Sequence, residues 1–387
     1  MKVICDRGAL LEAINLVSGV VASRTPRQQL TCVHLSARKV DGVGRLTLAA
    51  TDAEIALRLD IDNVSLEREG SALVPADKLR QIVSAEDHDT TLTLDSDGDS
   101  LEIRGVDATF KILGYPPAEF PAIPEFSTAA KAAKAVFSQS AGTLTTLVAR
   151  TLFATARENS RYAINGVLLK QDGKRLELVA TDGRRLAIAR AALPSAEKDA
   201  PAVSCIIPSK ALNTLQRLAS DPEEPVRIAV TDNQAVFMLG ADDSDGGRAC
   251  LSTNLVEGTF PPYEDVVPKD QDKSVLFDRD VMSSAVKRAA LLTNEESRGV
   301  RLSFNGADKQ LELSSRAPEM GEATVTVDLV EYKGDDMEVG FNPGYLVEAL
   351  KVIDDPQVIM ELKSTNKPGV IKSGNEFLYV VMPVTLT

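Results

Sequence analysis

The sequence predicts an α+β protein in which one substructure occurs three times. The main evidence is a strand-like segment that returns at a spacing of about 130 residues, one third of the chain. It comprises residues 46–52 (LTLAATD) in the first third, residues 176–182 (LELVATD) in the second and, more faintly, residues 311–315 (LELSS) in the third. Helix-like and proline landmarks recur in the same order, which indicates a repeated structural unit.

Each third opens with a stretch that predicts an amphipathic helix. Its apolar residues recur at roughly helical spacing. They are Leu10, Ile14, Val17 and Val21 in the first third, Leu144, Leu147 and Leu152 in the second, and Val281, Ala285, Ala289 and Leu292 in the third.

A second helix is predicted to begin at a proline in every third, at Pro75, Pro208 and Pro343. Proline is tolerated in the first turn because that amide would be unpaired anyway. Alternating runs rich in β-formers, such as residues 33–36, 167–169 and 300–303, lie around these helices. Each third is therefore predicted to contain two helices and about six to eight strands.

Proline-rich segments mark the joints between the thirds. They are residues 115–124 and residues 260–263, the latter followed by Pro268. Since proline cannot pair in a central strand, these segments are predicted to be linkers. The resulting domains are residues 1–126, 127–263 and 264–387, each large enough for its own core.

Composition argues for a globular chain without a membrane partner. Hydrophobic residues make up 44% and charged residues 26%, and no apolar run approaches the roughly 18 residues that span a bilayer. Asp6, Arg7 and Glu12 interrupt the apolar face of residues 1–23, which favours a folded helix over a signal peptide. We therefore expect a cytoplasmic protein.

The residues of common catalytic sites are scarce. The chain has only His34 and His88 as histidines, its four cysteines form no C-x-x-C pair, and it has no phosphate-binding loop motif. Two acidic stretches, residues 95–99 and 242–247, could be calcium loops or hairpin turns. The turn is favoured because Val106 stands where a calcium loop beginning at Asp95 needs glutamate. We expect no metal, no cofactor and no catalytic residue.

Several longer segments are distinctive in their order and spacing. They are residues 162–167 (YAINGV), 179–187 (VATDGRRLA), 294–295 with 298–302 (NE and RGVRL), 339–342 (VGFN) and 379–383 (YVVMP). In that order and spacing these segments resemble the bacterial β sliding clamp family, the processivity subunits of the replicative DNA polymerase. The resemblance covers essentially the whole chain.

The resemblance implies three similar domains per chain and two chains joined head to tail in a ring, with helices lining the hole and sheets outside. Six helices, each about 10 Å wide, would enclose a hole of only roughly 9 Å, whereas twelve would enclose roughly 28 Å. Duplex DNA, whose major groove alone is about 12 Å wide, fits only the larger hole. A homodimer is therefore expected to encircle double-stranded DNA as a non-enzymatic scaffold.

The net charge of −13 does not exclude this function, because a ring retains DNA without gripping its phosphates. A basic lining is still expected, on or beside the predicted helices. Arg24 and Arg27 are favoured, since family members carry DNA-contacting arginine there. The full set of predicted DNA-contacting residues is Arg24, Arg27, Lys78, Arg80, Arg150, Arg157, Lys210, Arg217, Lys287 and Lys351.

The resemblance also implies an apolar groove between the second and third domains. There the replicative polymerase, the clamp loader, other polymerases and repair proteins dock short peptide motifs. Its lining, carried over position by position, is Ile164, Thr181, Gly183, Arg184, Arg185, Leu186, Pro261, Val266, Asn342, Tyr345, Pro368, Val380, Val381, Met382, Pro383 and Val384. Asp265, Ser297 and Thr385 depart from residues found in enteric relatives, so the peptide preference is expected to differ.

A dimer interface is implied in which Phe110 and Ile112 pack on Leu291 and Leu292 of the partner. Arg104 and Lys111 would face Glu319 and Glu322 across this interface. Since Asp107 and Thr109 stand where some relatives have arginine, apolar packing is expected to outweigh ion pairs.

Two other classes of function compete with the clamp. One is an enzyme, either a carboxylate-based hydrolase or a two-metal exonuclease, although the acidic clusters lie at predicted turns. The other is a peptide-binding adaptor that does not hold DNA.

Overall fold

The computed structural model describes residues 1–156, 162–194, 202–240, 247–293 and 299–385. The chain forms two compact units. One comprises Met1–Thr145 and Leu193–Leu255, and the other comprises Thr146–Ala192 and Val256–Thr387. They are called unit 1 and unit 2 below.

All six predicted helices are present in the described ranges, together with one short helix that the sequence pattern did not indicate. The helices are α1 (Arg7–Val17), α2 (Ala76–Ala85), α3 (Phe126–Lys131), α4 (Ala141–Leu152), α5 (Ser209–Leu218), α6 (Arg279–Ala289) and α7 (Pro343–Lys351). The unpredicted helix is α3, at the predicted joint between the first two thirds.

The helix ends follow from local chemistry. Pro75 and Pro208 are the N-cap residues of α2 and α5, and Pro343 begins α7. On α6 the core-facing residues include Met282 and Val286, whereas Val281 is 47% exposed. The predicted apolar stripe of this helix was therefore wrong at Val281.

The described residues also contain 26 strands. In chain order they are β1 (Lys2–Asp6), β2 (Cys32–Val40), β3 (Val43–Thr51), β4 (Ile55–Asp62), β5 (Ser65–Arg68), β6 (Gly70–Pro75), β7 (Thr91–Asp97), β8 (Ser100–Arg104), β9 (Thr109–Leu113), β10 (Ala135–Ser140), β11 (Gly166–Asp172), β12 (Arg175–Thr181), β13 (Arg185–Ala192), β14 (Val203–Pro208), β15 (Pro225–Val230), β16 (Gln234–Leu239), β17 (Ala249–Asn254), β18 (Lys273–Asp278), β19 (Val300–Asn305), β20 (Gln310–Ala317), β21 (Gly321–Asp328), β22 (Glu331–Lys333), β23 (Met337–Phe341), β24 (Gln357–Leu362), β25 (Gly369–Ser373) and β26 (Phe377–Val381).

Unit 1 contains an eight-stranded sheet with the order β10-β15-β16-β17-β4-β3-β2-β6 and a five-stranded sheet with the order β5-β1-β7-β8-β9. In unit 2, a long sheet runs through β11-β12-β13-β26-β25-β24-β18-β22, and a four-stranded sheet has the order β21-β20-β19-β23. Large apolar side chains such as Leu10 and Leu48 in unit 1, and Phe341 and Tyr379 in unit 2, are almost fully buried.

Strands β13 and β26 pair with each other, which joins the two chain segments that make up unit 2. The two strands are antiparallel, with Leu186 opposite Val380 and Ala187 opposite Tyr379. Residues from the predicted second and third domains therefore share one sheet.

The repeated Thr-Asp dipeptide closes the same hairpin turn in both units. The Thr51 hydroxyl donates to the carbonyl of Ile55, and the Asp52 carboxylate accepts from the amides of Glu54 and Ile55. The Thr181 hydroxyl and the Asp182 carboxylate bond the turn of the second copy in the same way. The repeated motif thus encodes a turn rather than a catalytic group.

One residue in this turn is expected to be strained. Ala53 has a φ of 78°, whereas the equivalent Gly183 has a φ of 85°, and only glycine adopts this region without steric cost. We expect Ala53→Gly to raise the free energy of unfolding by about 0.5–1 kcal/mol. Gly183→Ala is the reciprocal control, because a β-carbon there would meet no atom within 4 Å. Equal unfolding midpoints in urea for all three proteins would contradict this account.

The structure also tests the predictions for the two acidic stretches and for the cysteines. Residues 97–100 form the turn between β7 and β8, which confirms the turn interpretation of the first acidic stretch. The second stretch, residues 242–247, lies almost wholly outside the described residues. All four cysteines are buried free thiols, and burial raises the pKa of Cys5 to about 12.

Two features are absent from the described ranges. No group of three or more His, Cys, Asp and Glu residues there is arranged to hold a metal ion. No helix there combines the length and apolarity needed to cross a membrane.

Candidate functional site

Unit 2 carries an apolar pocket of about 180 Å³ at the junction of β13 and β26. Its walls come from the β12–β13 hairpin, the end of β26 and two loop segments. The lining residues are Tyr162, Ile164, Thr181, Gly183, Arg185, Leu186, Pro261, Tyr263, Val266, Val380 and Met382. Such a concave, largely apolar site with a few fixed polar groups is typical of a ligand or peptide pocket.

Strand pairing brings the ends of β13 and β26 together at the pocket. Leu186 and Val380 are directly opposite each other on neighbouring strands, so their side chains point to the same face. Met382 follows two residues after Val380, and its amide donates to the carbonyl of Arg184 at 2.9 Å. Val381 lies between them, is fully buried and is directly opposite Arg185 on β13.

Arg185 is a buried cation that holds the pocket wall in place. Its guanidinium donates to Asp182 at 3.0 Å, to the carbonyl of Phe153 at 2.6 Å and to Glu348 on α7. It also stacks on the rings of Phe153 and Tyr345, at 5.3 and 4.4 Å from the ring centroids. Burial opposes the charge, but the hydrogen bond to Glu348 contributes to a net rise in the pKa of Arg185.

Tyr263 forms another wall, and its hydroxyl lies in a buried polar network. The hydroxyl donates to Glu177 at 2.6 Å and accepts from Lys170 at 3.1 Å. Burial and the Glu177 carboxylate raise the pKa of Tyr263 to about 12, so it is a donor at neutral pH. Burial alone would raise the pKa of Glu177, but hydrogen bonds from Tyr263 and Arg190 outweigh it and lower that pKa.

Removing the tyrosine hydroxyl should destabilise the protein without removing the apolar wall. We expect Tyr263→Phe to lower the free energy of unfolding by about 1–3 kcal/mol at neutral pH, because a buried carboxylate loses a donor. A carboxyl group whose pKa is lowered by folding stabilises the fold at pH values above its ordinary pKa. This contribution is lost as the pH falls through the folded-state pKa. The difference between wild type and variant should therefore shrink in acid, as measured by urea unfolding at several pH values. A difference that stays constant or grows in acid would contradict this role.

A second depression, of about 480 Å³, adjoins the apolar pocket and shares Met382 with it. Its other lining residues are Arg301, Glu338, Val339, Gly340, Thr365, Asn366, Pro383, Val384 and Thr385. The Val384 amide donates to the carbonyl of Gly340 at 2.9 Å, which fixes the chain end along this depression. An extended segment could occupy both sites in series.

Unit 1 carries a cluster of cations around the C-terminal end of α1. Arg217 on α5 donates to the carbonyl of Asn15 at 3.1 Å, and Lys210 donates to that of Val20 at 3.5 Å. Arg24 and Arg27 are exposed in the segment that follows. Cations are favourable at a helix C-terminus, and this basic cluster is the candidate nucleic-acid interface of unit 1.

Comparison with known proteins agrees with the threefold repeat of the chain. Three family models match in succession: the DNA polymerase III beta subunit N-terminal domain at residues 1–124, the central domain at 140–262 and the C-terminal domain at 264–385. This chain belongs to the DNA polymerase III beta subunit family. It therefore consists of three clamp domains, as the sequence predicted, although our exact domain boundaries stay predictions.

Individual relatives agree with this assignment. The beta sliding clamp of Pseudomonas putida is 34% identical over 98% of this chain and 99% of its own length. That of Escherichia coli is 30% identical over the whole of both chains. A crystal structure of the sliding clamp of Pseudomonas aeruginosa bound to griselimycin matches the whole of both chains with a TM-score of 0.89 and 32% identity.

The structure brings together about half of the predicted groove residues in the apolar pocket. They are Ile164, Thr181, Gly183, Arg185, Leu186, Pro261, Val266, Val380 and Met382. Pro383 and Val384 line the adjoining depression instead. Asn342 caps α7, with its side chain accepting from the amide of Gly344.

Four other predicted groove residues, Arg184, Tyr345, Pro368 and Val381, are not among the lining residues of either cavity. Tyr345 instead stacks on Arg185, and the assignment of these four residues to the groove stays a prediction. The sequence analysis missed two lining residues, Tyr162 and Tyr263. Tyr162 belongs to one of the family-like segments and Tyr263 to a predicted linker. In both cases the aromatic side chain was the only sequence feature that could have indicated a pocket wall.

Among the predicted DNA-contacting residues, eight are exposed and one is not. The exposed residues are Arg24, Arg27, Lys78, Arg80, Lys210, Arg217, Lys287 and Lys351. Arg150 is only 8% exposed, lies 5.9 Å from the ring centroid of Phe377 and is near the carboxylates of Asp354 and Glu376. The expectation that Arg150 belongs to an open lining was therefore wrong, and Arg157 lies outside the described residues.

The predicted interface residues lie at two sheet edges. Phe110, Lys111 and Ile112 are on β9, the edge strand of the five-stranded sheet of unit 1, and Arg104 ends the neighbouring β8. Leu291 and Leu292 form a short 3-10 helix in unit 2. Glu319 and Glu322 lie just before and within β21, an edge strand of the four-stranded sheet.

Two details of this interface differ from expectation. Ile112 is only 6% exposed and packs within its own unit, whereas the neighbouring Leu113, which was not predicted, is 76% exposed. Arg104 pairs with Glu102 on its own strand. Ser297, one of the departures from enteric relatives, lies outside the described residues.

Proposed function

We propose that two copies of this chain close into a ring around duplex DNA and tether the replicative polymerase, as a non-catalytic processivity subunit. The observation that carries the proposal is the pair of edge strands in a chain of this family. β9 ends a sheet in unit 1 and β21 ends a sheet in unit 2. β9 ends with the exposed Leu113, and the exposed Leu291 lies in the short 3-10 helix that contacts β21.

Exposed sheet edges with apolar neighbours favour pairing with another chain. When β9 of one chain pairs with β21 of the second, the contact is heterologous, and two such contacts close a ring if the rotation permits. Apolar packing by Phe110, Leu291 and Leu292 would supply most of the stability. Lys111 and the two glutamates, Glu319 and Glu322, would add exposed ion pairs of small net value.

The basic cluster of unit 1 is proposed to face the DNA. Arg24 and Arg27 are exposed, and Lys210 is partly neutralised by Asp52 at 2.5 Å. On unit 2, Lys287 and Lys351 are exposed on helices α6 and α7. A few cations on an overall acidic chain favour loose, sliding contact over tight binding to phosphates.

The apolar pocket and its adjoining depression are proposed to dock short peptides of the polymerase, the clamp loader, other polymerases and repair proteins. Two apolar anchors would contribute about 1.5–3 kcal/mol each by burial. After the entropy of association and of peptide ordering, a dissociation constant in the micromolar range is expected. Met382, which borders both cavities, offers an adaptable surface for either anchor.

Mass and shape in solution test the ring directly. Analytical ultracentrifugation should give the mass of two chains at micromolar concentration, and negative-stain electron microscopy should show rings with a central opening wide enough for a duplex. A monodisperse single chain, or a dimer without an opening, would refute the proposal. Binding of an apolar peptide by such a particle would then favour the adaptor function instead.

A further inference from the structure

A second, charged cavity of about 350 Å³ lies beside the apolar pocket, and Tyr263 lines both. Its lining contains four cations and three carboxylates together with Ile188, Tyr263 and Val267. The cations are Lys170, Arg175, Arg190 and Lys269, and the carboxylates are Asp172, Glu177 and Glu264. Neither the sequence motifs nor the groove described above accounts for this cavity.

The two cavities follow each other along one face of the same sheet. On β13, Leu186, Ile188 and Arg190 are two residues apart and share a face. Leu186 lines the apolar pocket, whereas Ile188 and Arg190 line the charged cavity. Four strand residues correspond to about 13 Å, a distance that an extended peptide also covers in about four residues.

The charged cavity has a fixed floor with an excess of donors. Lys170, Glu177 and Arg190 are directly opposite one another on β11, β12 and β13. One oxygen of the buried Glu177 carboxylate accepts from Arg190 at 2.7 Å and from Arg175 at 3.0 Å. Two guanidinium groups, each with five N–H donors, therefore share a single buried carboxylate.

The remaining charges, including the exposed Asp172, lie at the cavity rim. Glu264, whose side chain is 70% exposed, forms an ion pair with the Lys170 ammonium at 3.0 Å. Lys269 is exposed and lies on the same rim. The Arg175 side chain is 58% exposed, so its guanidinium is accessible to a ligand that enters from solvent.

We propose that this charged cavity binds a carboxylate side chain, Asp or Glu, of the same partner peptide whose apolar anchor fills the neighbouring pocket. This inference depends on the proposed docking function. Arginine forks match carboxylates in a bidentate geometry, and Tyr263 separates the apolar subsite from the anionic one. The chain would thus select peptides with an acidic residue about three to four positions from the apolar anchor.

A positional scan tests the proposal. A fluorescent peptide with two apolar anchors and a neutral flank is made with one Glu, or one Gln, at each of the four positions on either side of the anchors. Fluorescence anisotropy at low salt measures the affinities. We expect Glu to bind three- to tenfold more tightly than Gln at one or two positions, and the gain to diminish as salt screens the charges.

Variants assign the gain to this cavity. Arg175→Gln should reduce it below twofold, and Arg190→Lys should weaken it, since lysine keeps the charge but lacks the fork. Arg38→Gln, at an exposed position of unit 1, is the matched control and should leave it unchanged. Should Arg190→Lys fail to fold, Arg175→Gln decides, because its exposed side chain can be replaced without disturbing the core.

Each outcome separates the inference from the proposed function. Equal affinity for Glu and Gln peptides at all positions overturns the anionic subsite while the docking function stands. A Glu gain that survives Arg175→Gln also overturns it. If no peptide binds at any position, the docking function itself fails.

Discussion

Replacing Leu291 and Leu292 together by aspartate is expected to convert the proposed dimer into a folded monomer. Leu291 is 72% exposed, although it is apolar, and a side-chain carbon of Leu292 lies 3.8 Å from the position of a β-carbon on Gly321, at the start of the edge strand β21. Placing charges in a dry apolar contact costs several kcal/mol. Since each 1.4 kcal/mol is about a tenfold change, the dimer dissociation constant should rise by at least about 100-fold.

Sedimentation velocity over a range of concentrations measures this change, and circular dichroism checks the fold. Val281→Asp is the matched control, because Val281 is also an exposed apolar residue, 47% accessible, but lies in the first turn of α6. There an acidic residue is compatible with the helix dipole. A folded double variant that remains as dimeric as the control would reject this interface.

Deleting residues 382–387 is expected to abolish peptide binding while the proposed ring stays closed. The deletion removes Met382, which lines both the apolar pocket and the adjoining depression, and leaves β26 intact up to Val381. Within the described part of this tail, the strand loses the backbone bonds from Met382 to Arg184 and from Val384 to Gly340. Each is worth about 1 kcal/mol, so the fold should persist.

Peptide affinity should fall by at least about 30-fold, since an anchor that loses its contact surface loses about 2 kcal/mol or more. Met382→Leu is the matched control, because a swap of similar volume preserves an apolar floor. Fluorescence anisotropy reports peptide binding and sedimentation reports the ring. If the deletion dissociated the dimer as well, the tail would belong to the interface and the assignment of the groove would be wrong.

Local sequence was sufficient for elements whose pattern depends on neighbours along the chain. Helix α1 was predicted from apolar periodicity and α5 from the proline at its start. The Thr-Asp turns of residues 51–55 and 181–185 are closed by side-chain hydrogen bonds within the turn. These interactions span only a few residues, which is why the repeat was visible without a structure.

The site required information that no local pattern contains. Val381 was expected in the groove with its four neighbours, but which of these side chains line a cavity depends on how the end of β26 pairs with β13. Tyr263 was part of a predicted proline-rich linker, and its importance comes from Glu177, which lies 86 positions earlier in the chain. Arg150 was predicted to line an open surface, and its burial against Phe377 likewise depends on a distant segment.

Retention on DNA by topology is the central claim, and trapping on a closed circle tests it most directly. The protein is incubated with a linear duplex, the duplex is ligated into a circle, and gel filtration in high salt removes molecules held only by charge. We expect the protein to elute with the circle and to be released when a restriction enzyme linearises it, whereas the Leu291→Asp and Leu292→Asp double variant should never be retained. Equal elution from circular and linear DNA would contradict the account.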